Sequence, residues 1–100
     1  MAGYFITSYD VTNPEGLGEY RKLVGPTLAK HRANVLVSGR GTELEGTARQ
    51  VTIVLEFPSV EAAHAWYDDP DYQAILAGRL DNSSGGTAII VDGFTPPAPA

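Results

Sequence analysis

Residues 50–73 read QVTIVLEFPSVEAAHAWYDDPDYQ. In its first part Val51, Ile53, Leu55 and Phe57 recur at every second position. Side chains of a strand point alternately to opposite faces, so these four share one face. The run is rich in β-branched and aromatic types and predicts a strand over 50–57. Pro58 ends it. Ser59 is a good helix N-cap, and Glu61 adds favourable charge to the first turn. Val60, Ala63 and Tyr67 then lie on one helical stripe, with Trp66 beside it. Asp69-Pro70 breaks the helix, because the residue before a proline is pushed away from helical angles. Tyr72, Ile75, Leu76 and Leu80 restart one.

The same strand–helix plan occurs earlier. Residues 4–11, YFITSYDV, read as a strand. Asn13 is placed to cap a helix, and Pro14 fits the first helical position, where no N–H is needed. Leu17, Tyr20, Val24 and Leu28 form one apolar stripe. Gly25-Pro26 interrupts it, which predicts a kink or a break into two short helices. Residues 34–38, NVLVS, read as a second strand, followed by a Gly39-Arg40-Gly41 turn and a short extended piece over 42–46. Residues 82–86 read as a loop and 87–94, TAIIVDGF, as the last strand.

The order β-α-β-β-α-β is the plan of an α+β, ferredoxin-like fold: a four-stranded antiparallel sheet with helices on one face. One domain is expected over residues 1–94, with a Pro-rich disordered tail over 95–100. A sheet covered on one face should alternate apolar with polar residues. Here Phe5, Thr7, Tyr9 and Val11 alternate with Tyr4, Ile6, Ser8 and Asp10, and both sets hold large apolar groups. An open apolar face marks an interaction surface. A second copy, packed sheet to sheet about a twofold axis, is the simplest occupant, so a homodimer is expected.

The chain has 100 residues, a formal net charge of -5 and no cysteine. No basic stripe exists for nucleic acid or an anionic membrane. Disulfides, thiolate metal sites and a cysteine nucleophile are excluded. Neither a signal peptide nor a membrane span is read, and a cytoplasmic location is expected. His31 and His64 alone do not make a zinc site, which wants three protein ligands. Asp68, Asp69 and Asp71 flank a proline without the spacing of an EF-hand loop, so no metal is expected. No phosphate-binding loop, dinucleotide fingerprint or nucleophile elbow occurs, and no cofactor is implied.

Three residues remain as catalytic candidates: Asp10, His64 and Arg79. Asp10 ends a strand and could act as a base if burial raised its pKa, or could accept loop N–H groups. His64 could be oriented by Glu61 one turn away, or could lie on the surface. Arg79 is a plausible charge partner for Glu56. His31 reads as a helix-end cation. Tyr4, Trp66, Tyr67 and Ile75 are the candidate ligand-binding residues. Large aromatics beside alanines also anchor a helix on its sheet, so packing and ligand contact both stay open for Trp66 and Tyr67.

The run EFPSVEAAHAWYDDPDYQ resembles the signature of the DUF1330 family, small proteins of the dimeric α+β barrel superfamily. Val11-Thr12-Asn13-Pro14-Glu15, Leu44-Glu45-Gly46, Tyr72-Gln73 with Arg79, and Val91-Asp92-Gly93 extend the likeness over residues 4–93. The chain departs from the family at Arg32-Ala33, where paired glycines are usual, at Ser38 in place of an arginine, and at Asp69 in place of a serine. The segment between Gly46 and Val51 is short and lacks the usual aromatic. The superfamily includes cofactor-free monooxygenases, haem-degrading enzymes and lactone isomerases. The resemblance thus implies a cleft between sheet and helices that binds a small apolar or aromatic molecule, as a binder or as a cofactor-free enzyme of proton transfer or oxygen insertion. The alternative is a non-catalytic structural or regulatory homodimer with a filled interior. A cleft of roughly 300 Å³, the lower range for ligand pockets, separates the two.

Overall fold

The computed structural model describes residues 1–98. Within them the chain runs β1 (Gly3–Val11), α1 (Pro14–Lys30), β2 (Asn34–Gly39), β3 (Val51–Phe57), α2 (Val60–Asp68), α3 (Pro70–Gln73), α4 (Leu76–Leu80) and β4 (Ser83–Asp92). The strands form one antiparallel sheet in the order β2-β3-β1-β4. This is the expected ferredoxin-like plan. Residues 93–98 carry no helix or strand, and the rest of the expected tail, Pro99 and Ala100, lies outside the described residues.

The two-residue period decides which side chains meet the helices. Phe5, Thr7 and Tyr9 of β1 are buried, as are Leu55 and Phe57 of β3. Leu17, Tyr20 and Leu28 come down on them from α1, Ala63 and Trp66 from α2, and Tyr72 from α3. Trp66 sits at the centre. Its ring meets Phe5 edge-on at 5.1 Å and lies 4.0 Å from the Tyr72 ring, while its Nε1–H donates to Thr27 Oγ1 at 3.0 Å. Trp66, not the flanking Val60 or Tyr67, therefore forms the buried ridge of α2.

Four local expectations are corrected. First, of the kink or break expected at Gly25-Pro26, the break does not occur: α1 is one helix from Pro14 to Lys30. Pro26 is exposed, so the carbonyl that loses its helical partner faces water and the helix survives. Second, Asn13 occupies the N-cap position without a side-chain cap bond; its Nδ2 donates to Asn82 Oδ1 at 3.0 Å, tying the start of α1 to the start of β4. Third, residues 42–46 form no strand, and the connection from β2 to β3 is irregular. Fourth, most of the stretch expected as a loop over 82–86 belongs to β4. The register moves by one between Ser8 and Asp10, so Gly85 and Gly86 together oppose Tyr9. Gly85 has φ +64°, and a Cβ on Gly86 would lie 2.8 Å from the Ser8 carbonyl oxygen. Two glycines thus allow a bulge where side chains would break the pairing.

Candidate functional site

α1 lies across β1, β3 and β2, and the contact leaves a cleft of about 240 Å³. Its walls are mostly apolar: Phe5, Val24, Leu28, Val35, Ile53, Leu55 and the Trp66 ring. Its polar lining includes Tyr9, Tyr20 and Arg79, and contains no carboxylate and no imidazole. A second cavity of about 290 Å³ lies between α4 and β4, and Tyr9 and Arg79 line that one too.

Tyr9 is 1% exposed, and its hydroxyl is the buried side-chain oxygen left without a hydrogen-bond partner among the described residues. Tyr20 and Tyr72 share a hydrogen bond between their hydroxyls at 2.8 Å. Burial, with the Tyr72 neighbour, holds the Tyr20 phenol well above its ordinary range, so it stays neutral. Arg79 is 5% exposed, donates from Nε to Tyr72 Oη at 3.4 Å, and holds its guanidinium carbon 5.9 Å from the centre of the Phe5 ring.

The helical period of the last helix places Leu80 in the core, and the structure does the reverse. Leu80 is 55% exposed and Arg79 points inward. Here α4 approaches α1 closely. A Cβ on Gly78 would stand 3.2 Å from Tyr20 Cβ and would push the two helices apart by a few tenths of an ångström, so glycine favours this close approach. The chain breaks again between Gln73 and Leu76, which separates α3 from α4 and lets the two present different faces.

The other candidates are scattered over several elements. Trp66 lines the cleft; Tyr67 lines the second cavity and a shallow depression shared with Phe5 and His64. His64 is exposed on α2. Tyr4 stands on the open face of the sheet, where its hydroxyl donates to Glu56 Oε2 at 3.2 Å. Glu56 is therefore on the face opposite Arg79, and the expected Glu56–Arg79 pair does not form. Ile75 packs at the outer side of α1, near Pro26 and Thr27. Asp10 accepts from the Gln50 N–H at 2.9 Å and from Arg49 Nη1 at 2.9 Å. These bonds, the Gln50 N–H first, hold its carboxyl below the ordinary carboxylate range, which makes it a weaker base than a free aspartate. Tyr9 escaped the sequence reading. Its signal was the shared period with Phe5 and Thr7, but no pattern shows that a buried hydroxyl lacks a partner.

A separate polar junction ties the end of α1 to the break between α2 and α3. Asp69 Oδ2 meets Lys30 Nζ at 2.8 Å and His31 Nε2 at 2.7 Å, while Asp69 Oδ1 accepts from the Asp71 N–H at 2.8 Å. His31 is thus the C-cap of α1 and a side-chain partner of Asp69 at once. The Lys30 and His31 contacts, with the Asp71 N–H, hold the Asp69 carboxyl far below its ordinary range.

Among the described residues no helix is long and apolar enough to cross a membrane. No curated protein matches the chain. Solved structures do. A protein of unknown function from Rhodopseudomonas palustris is 18% identical, with 95% of this chain and 84% of that one aligned at a TM-score of 0.78. A dimeric ferredoxin-like protein of unknown function from Thermobifida fusca is 16% identical over 92% and 91% of the two chains, at a TM-score of 0.68. SnoaB, a cofactor-independent oxygenase from Streptomyces nogalater, is 8% identical over 95% of each chain, at 0.68. At such identities the likeness is one of fold. The model of the domain of unknown function DUF1330 matches residues 2–94, nearly the whole chain, and the protein therefore belongs to the DUF1330 family.

Proposed function

We propose that the protein is a homodimer that binds a small molecule, of about one ring, in the cleft between α1 and the sheet. One observation carries the binding site: a cleft of about 240 Å³ with apolar walls, whose lining includes Arg79 and Tyr9, the residue with the unpartnered hydroxyl. Pockets for drug-sized ligands run to about 300–1,000 Å³. At about 240 Å³ the cleft falls below the roughly 300 Å³ expected above for a ligand pocket, which limits the proposed ligand to a single ring or a short branched chain. The lining offers no carboxylate or imidazole to act as general base, which favours binding over proton abstraction. Trp66 reports on occupancy, since its ring forms part of the wall. Titration with single-ring aromatics should change Trp66 fluorescence and raise Tm by linkage. Failure of every single-ring compound at millimolar concentration would remove the cleft as a binding site.

The dimer is supported by the open face. Ile6, Val37, Val54, Ile89 and Val91 stand on it in register, with Ile89 51% and Val91 39% exposed. The Thermobifida fusca neighbour is described as dimeric. Light scattering should give about twice the chain mass of 10.6 kDa, and Ile89→Arg should return a monomer. A wild-type monomer at micromolar concentration would refute the face-to-face pairing.

A further inference from the structure

We infer that the cleft ligand is a small monocarboxylate, held by its two oxygens on Arg79 with its hydrocarbon part against Val24, Leu28, Ile53 and Leu55; this rests on the reading of the cleft as a binding site. Arg79 is 5% exposed, yet no carboxylate lies within 4.0 Å of it among the described residues. A guanidinium does not lose its proton in a protein, so the charge is present at every ordinary pH. Burying such a charge without a partner is expensive. What surrounds it is the face of Phe5, one long hydrogen bond to Tyr72 and the neighbouring Tyr20 hydroxyl, none of which is a carboxylate. The Tyr20 phenol, held neutral, supplies no counter-charge.

The chain is not short of anions. It has 12 acidic residues and 7 basic ones, and places none of the former against Arg79. The inward turn also goes against hydrophobicity, since Leu80 is left outside in its place. Arg79 and Tyr9 line the same two cavities, of about 240 and 290 Å³. Arg79 can only donate, and the Tyr9 hydroxyl has a proton with no acceptor. The missing partner is therefore acceptor-only and anionic. A carboxylate is both, and its two oxygens match the planar guanidinium fork. Arg79 is the buried cation of the cleft, the other arginine of its lining, Arg21, being exposed, and a cleft of this size favours a single negative charge on a compact apolar body.

The test compares benzoate with benzamide, which have nearly the same shape and differ in charge, by calorimetric titration of the full chain. Wild type should bind benzoate at least about tenfold more tightly than benzamide, the range expected for hydrogen bonds to a charged group. Arg79→Met should abolish that preference, and Arg79→Lys, which keeps charge but not the fork, should retain part of it. Tyr9→Phe should weaken benzoate severalfold. Equal binding of the two compounds, unchanged in Arg79→Met, would overturn the carboxylate and leave the cleft as a neutral aromatic site. Binding of neither would overturn the cleft itself. Should Arg79→Met fail to fold, the wild-type benzoate-to-benzamide ratio decides the matter alone.

Discussion

Asp69 and Arg79 are two buried charges ten positions apart in sequence, 8% and 5% exposed, and the molecule treats them in opposite ways. Asp69 is met by a lysine, a histidine and a backbone N–H. Both carboxylate oxygens have donors, and the carboxylate joins the end of α1 to the α2–α3 break. Arg79 is met by a ring face and a phenol oxygen. A buried charge with a complete set of partners holds a structure together. One left open, lining the same cavities as a residue whose hydroxyl is also left open, is what supports the proposed binding site. Burial is the same in both, so burial does not tell them apart; the completeness of the surrounding shell does.

The contrast can be tested from its strongest point outward. Trp66 links the two regions, bonding to Thr27 near the junction and forming part of the cleft wall. Trp66→Ala should cost about 3–5 kcal/mol in urea unfolding, as for other buried aromatics. A loss below about 2 kcal/mol would show that the cleft collapses without its centre.

Next come the charges themselves. Asp69→Asn should lower Tm, by less than Trp66→Ala, because Lys30 and His31 lose their shared anion. Arg79→Met should leave stability unchanged or raise it by about 1 kcal/mol, since it removes an uncompensated charge and keeps an apolar body. A destabilisation beyond about 2 kcal/mol would make Arg79 structural and erase the contrast.

A pH series sharpens the same point. The folded Asp69 carboxyl titrates far below its unfolded value near 4. Its stabilising contribution is therefore complete above that unfolded value and is lost as pH falls toward the folded one. Urea midpoints for wild type should drop between about pH 5 and pH 3, and those of Asp69→Asn should drop less. Parallel curves would mean that the junction holds no more strongly charged than neutral.

The smallest effect lies at the end of α1. Arg32 has φ +58° and closes a Schellman motif, with Arg32 N–H donating to the Ala29 carbonyl and Ala33 N–H to that of Leu28. Glycine suits this left-handed position better than any other residue. Arg32→Gly should stabilise the fold by about 1 kcal/mol. A loss would show that the arginine side chain contributes something its backbone strain conceals.

Much of the fold was legible because alternation in β3 and capping at Ser59 act locally. Val51, Ile53, Leu55 and Phe57 needed only the period of a strand, and Ser59 Oγ does accept from the Ala62 N–H at 3.0 Å. What escaped depended on distant partners. Pro26 is harmless because its side of α1 faces water. Asn13 turns to Asn82, 69 positions away. Gly78 favours the close approach of α4 to Tyr20, where Arg79 turns inward and Leu80 outward. Of the candidate site, Arg79 and Trp66 were named, but for reasons of resemblance and packing; that Arg79 lacks a carboxylate and Tyr9 an acceptor is a property of surroundings assembled from three strands and three helices.

Both register shifts in the sheet fall in its edge strands. Leu36 adds a residue to β2 between Val35 and Val37, and Gly85-Gly86 does so in β4, while the central β1–β3 ladder is unbroken. An edge interrupted in this way offers no long straight row of N–H and C=O groups to an incoming strand. Growth by adding chains edge to edge is therefore obstructed at both margins, and the apolar surface that remains available is the sheet face to which the proposed dimer is assigned. The bulges thus act against fibre formation through the sheet edges.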